Sequence, residues 1–357
     1  MAVEERKGAR FLLVVASFVV VIAGIKAAAP LILPFMIASF IAMISLPLLN
    51  WLQRKRIPTA LAVLITVTLA LAVLVGMGVL IGGSITKFTD EAPRYRERLA
   101  EMSMPIMHRL QSWGFDVSEQ AIGDLINPAA AMDVVTGTLR ALAAVLSRSM
   151  LVFVIIVFIL FEAAGFPAKL DAAFGKGPSD RFDKIKHEVQ RYLATKTVIS
   201  LTTGSLVGAA MAIIGVDFAL LWGALAFMLN YIPNLGSIIA AIPPLLLALI
   251  QLGPGHAVAV GVVFLAVNLT LGNLVEPYFM GRTMGLSTLV VFLSLVFWGW
   301  VWGPVGMLLS VPLTMIVKIM LENTQDLRWI AVLLGATPRD RAVAVRADGT
   351  SSRRTVG

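Results

Sequence analysis

Apolar residues in this chain come in long runs with scarcely a charge among them. The runs fall at about 10–28, 31–50, 58–83, 143–165, 197–215, 218–232, 236–252, 257–275, 287–302 and 304–321. Several reach the roughly 20 residues that an α-helix needs to cross a hydrocarbon layer about 30 Å thick. The pattern predicts an all-α, polytopic helical membrane protein. About eight transmembrane helices are expected, plus a re-entrant or broken helical hairpin and an extramembrane helical insertion.

Two of the runs, 218–232 and 236–252, are short for a full crossing, at about 15 and 17 residues. They meet at "IPNLG" (Ile232 to Gly236), inside a stretch, Leu229 to Ile250, that holds Pro233, Pro243 and Pro244 as well as Asn230, Asn234 and Gly236. A re-entrant hairpin and two genuine spans both keep the later loops on the same sides. Run length and the Pro-Asn-X-Gly turn favour the hairpin, and a plain tight turn between two short helices is the alternative. Irregular backbone at membrane depth is tolerated only where it is buried in protein or lines a cavity, and broken helices recur at transporter binding sites.

Between the third and fourth runs, Tyr95, Leu99, Met102, Ile106, Leu110 and Trp113 recur every three or four residues, as on one face of a helix. Asn127 and Pro128 read as the N-cap and first turn of a further helix running to about Gly165. Later, Phe182, Ile185, Val189, Tyr192 and Leu193 form an apolar stripe opposite Arg181, Lys184, Lys186 and Arg191, which predicts a helix lying on the membrane surface. The expected organisation is a three-span segment (1–83), an extracytoplasmic helical insertion (84–142), a fourth span (143–165) and a cytoplasmic amphipathic helix (166–196). A transport half (197–322) containing the hairpin 218–252 follows, then a basic, disordered cytoplasmic tail (323–357).

Composition agrees: 58% of residues are hydrophobic and 14% charged, against about 25% charged in an average soluble protein. The net charge of +8 raises nucleic acid as a partner, but in a membrane protein basic residues mark cytoplasmic loops. Arg6, Lys7 and Arg10 place the N-terminus inside, and "QRKR" (Gln53 to Arg56) is inside two spans later. Segment 84–142, with six basic and eight acidic residues, lies outside; Lys169 to Lys196, with seven basic and four acidic, lies inside. The C-terminal tail is basic and reads as cytoplasmic too. The first run resembles a signal peptide, but Pro30 directly after three alanines disfavours cleavage, so it is read as a retained span.

Candidate chemistry is sparse. No cysteine is present, which excludes disulfides, thiolate metal sites and thiol catalysis. The three histidines are scattered, and no P-loop, HExxH or GxSxG motif occurs. No metal, cofactor or enzymatic activity is called for. The polar marks instead gather in "VNLTLGNLVEPYFMGRTMGLS" (Val267 to Ser287), which holds Asn268, Asn273, Glu276 and Arg282. An ionisable residue at membrane depth is a functional candidate by default; an interfacial ion pair between Glu276 and Arg282 is the plainer account. Asp217 reads as interfacial, and Lys26, Glu162, Lys318 and Glu322 fall near span ends, where long side chains reach the headgroups. In "VFWGWVWGPVGMLLSVPLTMIVK", Gly299, Gly303 and Gly306 permit close helix approach, and the tryptophans mark an interface.

The pieces "YIPNLGSIIAAIPPLLLAL" and "GNLVEPYFMGRTMGLSTLVVFLSLVFWGWVWGPVGMLLSVPLTMIVKIMLE", with their order after two N-terminal spans and an insertion following the third, resemble the autoinducer-2 exporter family of bacterial membrane proteins. The resemblance covers roughly residues 10–325. It implies eight spans, transport without ATP, export of the furanone autoinducer-2, residence in the bacterial inner membrane and a homo-oligomer, pentameric in the family. By motif it carries over Pro233, Asn234, Gly236, Pro243, Asn273, Pro277 and Gly285.

The expected function is therefore a secondary transporter or facilitator for a small polar solute. Asn230, Pro233, Asn234, Gly236, Pro243, Asn268 and Asn273 would lie along the pathway, and Glu276 with Arg282 would be available for coupling to protons or sodium. Na⁺(Li⁺)/H⁺ antiport within the same family and a non-transporting membrane scaffold are the alternatives. The partners expected are lipid, solute and further copies of the chain, with both termini cytoplasmic.

Overall fold

The computed structural model describes residues 2–112, 136–138, 140, 149–163, 166–174, 176–280, 285–322, 324 and 327–335. Among these the secondary structure is helical. The helices are α1 (Ala2–Ala27), α2 (Ala29–Arg54), α3 (Thr59–Ser112), α4 (Ser149–Ala163), α5 (Phe166–Phe174), α6 (Lys176–Ile214), α7 (Ala219–Leu229), α8 (Leu235–Leu252) and α9 (Pro254–Val267). A π-helix, Asn268–Val275, leads into α10 (Glu276–Met280), α11 (Thr288–Glu322) and α12 (Arg328–Leu334). Six helices are long and apolar enough to cross a membrane, and three shorter apolar helices accompany them among the described residues. The chain is a multi-pass helical membrane protein.

Element lengths differ from the apolar runs. The helix of the third run does not end at residue 83 but continues as α3 to Ser112. Residue 196 likewise falls inside α6, so the amphipathic stretch and the fifth run are one helix of 39 residues. The expected helix start at Asn127 and Pro128 lies outside the described residues, as do Trp113 and most of the C-terminal tail.

The chain divides into two compact units. The first comprises residues 1–64, 151–190 and 284–357. Within it α11 is not one rod. Gly303 has φ 64° and ψ −147°, and the Trp298 indole N–H donates to Thr314 Oγ1 at 3.1 Å. Sixteen residues of continuous helix would separate these two by about 24 Å; the chain therefore reverses at Gly303, and 288–302 and 304–322 are the arms of a hairpin. A Cβ on Gly306 would lie 1.9 Å from the Trp298 carbonyl oxygen, so only glycine lets the arms meet. The end of α1 is fixed there: Trp302 Nε1–H donates to Ile25 O at 3.3 Å, and the Lys26 ammonium sits 4.0 Å from the Trp300 ring centre. That cation–π contact gives Lys26 a specific partner within the protein.

The second unit comprises residues 65–150 and 191–283. Its core draws Ile81 and Phe88 from α3, Val207 and Met211 from α6, Trp222 and Leu225 from α7, Leu247 from α8 and Phe264 from α9. Small residues set the closest crossing. A Cβ on Gly204 would lie 2.6 Å from the Gly223 carbonyl oxygen, and one on Gly223 would lie 2.7 Å from that of Gly204. Helices α6 and α7 therefore touch backbone to backbone, the packing that small residues allow where the hydrophobic effect cannot drive association.

Candidate functional site

The site is built on one face of α6. Tyr192, Lys196, Ser200, Thr203, Val207 and Met211 recur at spacings of three and four and are all buried. The apolar end of the stripe packs into the core of the second unit. The polar end meets the turn after α7 and the helix after α9. Asn230 Nδ2 donates to Ser200 Oγ at 2.9 Å. Thr197 donates to Leu193 O at 2.7 Å, which uses its one hydroxyl hydrogen; the Tyr231 hydroxyl, 2.7 Å away, must then be the donor between them. Lys196 Nζ donates to Glu276 Oε1 at 2.6 Å, with side-chain exposures of 3% and 19%.

The turn joining α7 to α8 is tight. Leu235 N–H donates to Pro233 O at 2.6 Å, and Asn234 between them has φ 59° and ψ −48°, a γ-turn of the rare positive-φ kind. Asn tolerates positive φ better than other non-glycine residues. A Cβ on Gly236 would lie 1.8 Å from Leu229 O. Within α8, Pro243 and Pro244 are buried; lacking N–H groups, they leave the carbonyls of Ile239 and Ala240 without their usual helical donors. At 11 residues α7 spans about 16 Å, short of a bilayer, whereas the 18 residues of α8 suffice.

The π-helix faces this turn. Its wider winding is typical of functional sites; its sequence is Asn-Leu-Thr-Leu-Gly-Asn-Leu-Val. Asn268 and Gly272 from the π-helix, Thr203 from α6, Asn230 from the end of α7, Ser237 from α8 and Phe264 from α9 line a cavity of about 10 Å³, room for about one water. A Cβ on Gly272 would come within 3.0 Å of the Asn268 amide oxygen, so this glycine leaves the amide its space. Its lining combines apolar walls with a few convergent hydrogen-bonding groups, the composition of a small-molecule site without its volume.

The residues singled out in the sequence thus separate. Asn230 and Asn268 come together on the cavity wall. Pro233 and Gly236 shape the turn, and Asn234 is exposed at its apex, its carbonyl accepting from Ser237 Oγ at 3.2 Å. Pro243 lies in the core, and Asn273 is exposed on the π-helix, off the cavity. Glu276 pairs with Lys196; Arg282 lies outside the described residues. The α6 contribution was missed because Lys196 counts as a loop charge when orientation is read from basic residues. The signal was present in the period of Tyr192, Lys196, Ser200 and Thr203.

Roughly 27 Å along α6 from Lys196, the other end of the unit holds an open cleft of about 720 Å³ lined by Ser84, Lys87, Asp90, Glu91 and Asp217. Asp217 is more than an interfacial charge. It accepts from the Tyr95 hydroxyl at 2.8 Å, its N–H donates to Gln251 Oε1 at 3.0 Å, and its carbonyl accepts from the Trp222 indole at 2.8 Å. Burial, and then the bond to Asp217, push the Tyr95 phenol above its usual range, so it stays a donor at neutral pH.

The profile of the AI-2E family transporters matches residues 15–326. The chain belongs to the AI-2E transporter family. It is 42% identical over 330 residues to the AI-2 transport protein TqsA of Escherichia coli K12, covering 92% of this chain and 96% of that protein. It is 36% identical over 341 residues to the putative transport protein YhhT of the same organism, covering 94% and 97%. A putative transport protein of Haemophilus influenzae is 38% identical over 336 residues, covering 91% and 96%. As an AI-2E transporter, the chain is expected to have a path for a solute, and the amide-lined cavity is the candidate for part of it.

Proposed function

We propose that this AI-2E transporter is a secondary, ATP-independent carrier that exports a small, neutral, hydroxyl-rich solute of the autoinducer-2 type across the bacterial inner membrane, with both termini cytoplasmic. The observation that carries the reading is the cavity where Asn230 and Asn268 converge with Thr203 and Ser237 on a broken turn and a π-helix. Amides and hydroxyls both donate and accept, which suits a neutral polyol better than an ion. The 42% identity to a protein described as an AI-2 transporter supports the same solute class.

With room for about one water, the cavity is closed around its polar groups in this conformation. Passage of a furanone requires the α7–α8 turn to part from the π-helix. The strained γ-turn at Asn234 and the helical hydrogen bonds lost at Pro243 and Pro244 place soft points on the moving side. The carrier works as a homo-oligomer, as the family resemblance implies. The test is efflux of autoinducer-2 from liposomes containing the purified protein, without nucleotide: efflux well above that of protein-free liposomes is expected, and none for any furanone or polyol offered would end this reading.

A further inference from the structure

The Lys196–Glu276 pair is not part of the cavity wall, yet it is the most deeply buried ion pair among the described residues. Among the described residues Glu276 is the charged group that acts on Lys196. From α6, Tyr192 is buried within electrostatic reach of Glu276, and from the α7–α8 turn Tyr231 is hydrogen-bonded to Thr197. Both are phenols, neutral at physiological pH. Among the described residues no buried side-chain nitrogen or oxygen lacks a partner.

An inward-facing carboxylate couples solute movement to sodium or protons only if the cation that neutralises it comes from solution and returns there. Here the neutralising cation is covalently attached to α6. It occupies the position at Glu276 that a sodium ion or a proton would otherwise fill. We propose that Lys196 is a built-in counter-cation for Glu276, and that this transporter therefore moves its solute down its own gradient, uncoupled from sodium and proton gradients. The proposal rests on the transporter reading but concerns its energetics, and it speaks against cation/proton antiport by this chain.

The corollary is that removing the ammonium creates a cation site. In Lys196→Ala, Glu276, whose side chain is 19% exposed, loses the ammonium that pairs with it, a state that a small monovalent cation relieves. The experiment is thermal unfolding of the detergent-solubilised full chain in sodium, lithium and choline chloride at matched ionic strength. A ligand that binds the folded state alone raises Tm in proportion to the logarithm of its concentration once in excess.

Wild type should unfold at the same temperature in all three salts. Lys196→Ala should gain a sodium- or lithium-dependent rise in Tm, and Lys196→Ala/Glu276→Gln should lose it again. A sodium-dependent rise in wild type, or the same response in the single and double variants, overturns the proposal. Should Lys196→Ala not fold, wild type in liposomes with a trapped pH dye decides: no pH change under an imposed sodium gradient is expected, and a sodium-driven change overturns it. None of these readings involves the solute, so failure to carry autoinducer-2 would leave them standing and would count against the transport reading alone.

Discussion

Single residues decide the shape of the site through the space they leave. Gly236 cannot carry a side chain, because a Cβ there would sit 1.8 Å from a backbone oxygen that has nowhere to go. Gly236→Ala should cost about 3 kcal/mol, at the upper end for overpacking, seen as a large fall in Tm or as failure to accumulate folded protein. Gly272 is a different case. Its added methyl would press on the flexible Asn268 amide at 3.0 Å, not on backbone. Gly272→Ala should leave Tm within a degree or two while slowing solute efflux, because the amide is turned out of the cavity; an unchanged efflux rate would show that Asn268 does not meet the solute. The turn at Gly236 was legible in the sequence, since Pro and Gly at that spacing inside an apolar run have few other uses. The role of Gly272 was not, because a glycine in a helix reads only as weak propensity.

At the scale of elements, the two units each contain a helical reversal of similar make. In one, Asn234 takes positive φ and Gly236 admits the Leu229 carbonyl; in the other, Gly303 takes positive φ and Gly306 admits the Trp298 carbonyl. A proline or a proline pair follows in the outgoing arm of both, at Pro243 and Pro244 and at Pro312. The backbone angles at Gly303 lie close to a region that only glycine populates readily. Gly303→Ala should therefore destabilise by about 1–3 kcal/mol and loosen the hairpin, seen as a fall in Tm; an unchanged Tm would contradict the reversal. Hydropathy separates the two arms, as the runs 287–302 and 304–321, because the break coincides with Gly-Pro. It sees less elsewhere. A π-helix and an α-helix share the same apolar composition, so nothing in "NLTLGNLV" announces the wider winding, and α3 runs on past its apolar part because polar residues sustain a helix as well as apolar ones do.

For the molecule as a whole, the apolar runs reveal the class of protein, since a chain must satisfy its backbone inside lipid and helices do so within one segment. What they do not reveal is which polar residues meet. Asn230 and Asn268 stand 38 positions apart and share a wall, whereas Asn273, five residues from Asn268, faces away. That sorting depends on helix phase around a π segment and is a property of the packed unit. It also supplies the internal control for the central claim, that a neutral polar solute passes by the Asn230–Asn268 cavity.

The most direct measurement is the initial rate of autoinducer-2 efflux from liposomes containing wild type, Asn230→Ala/Asn268→Ala or Asn273→Ala, each verified as folded. Two lost hydrogen bonds at about 1 kcal/mol each correspond to a roughly 30-fold slower rate for the double variant, with Asn273→Ala within about twofold of wild type. Equal rates for wild type and the double variant, or a loss confined to Asn273→Ala, would place the pathway elsewhere and contradict the account.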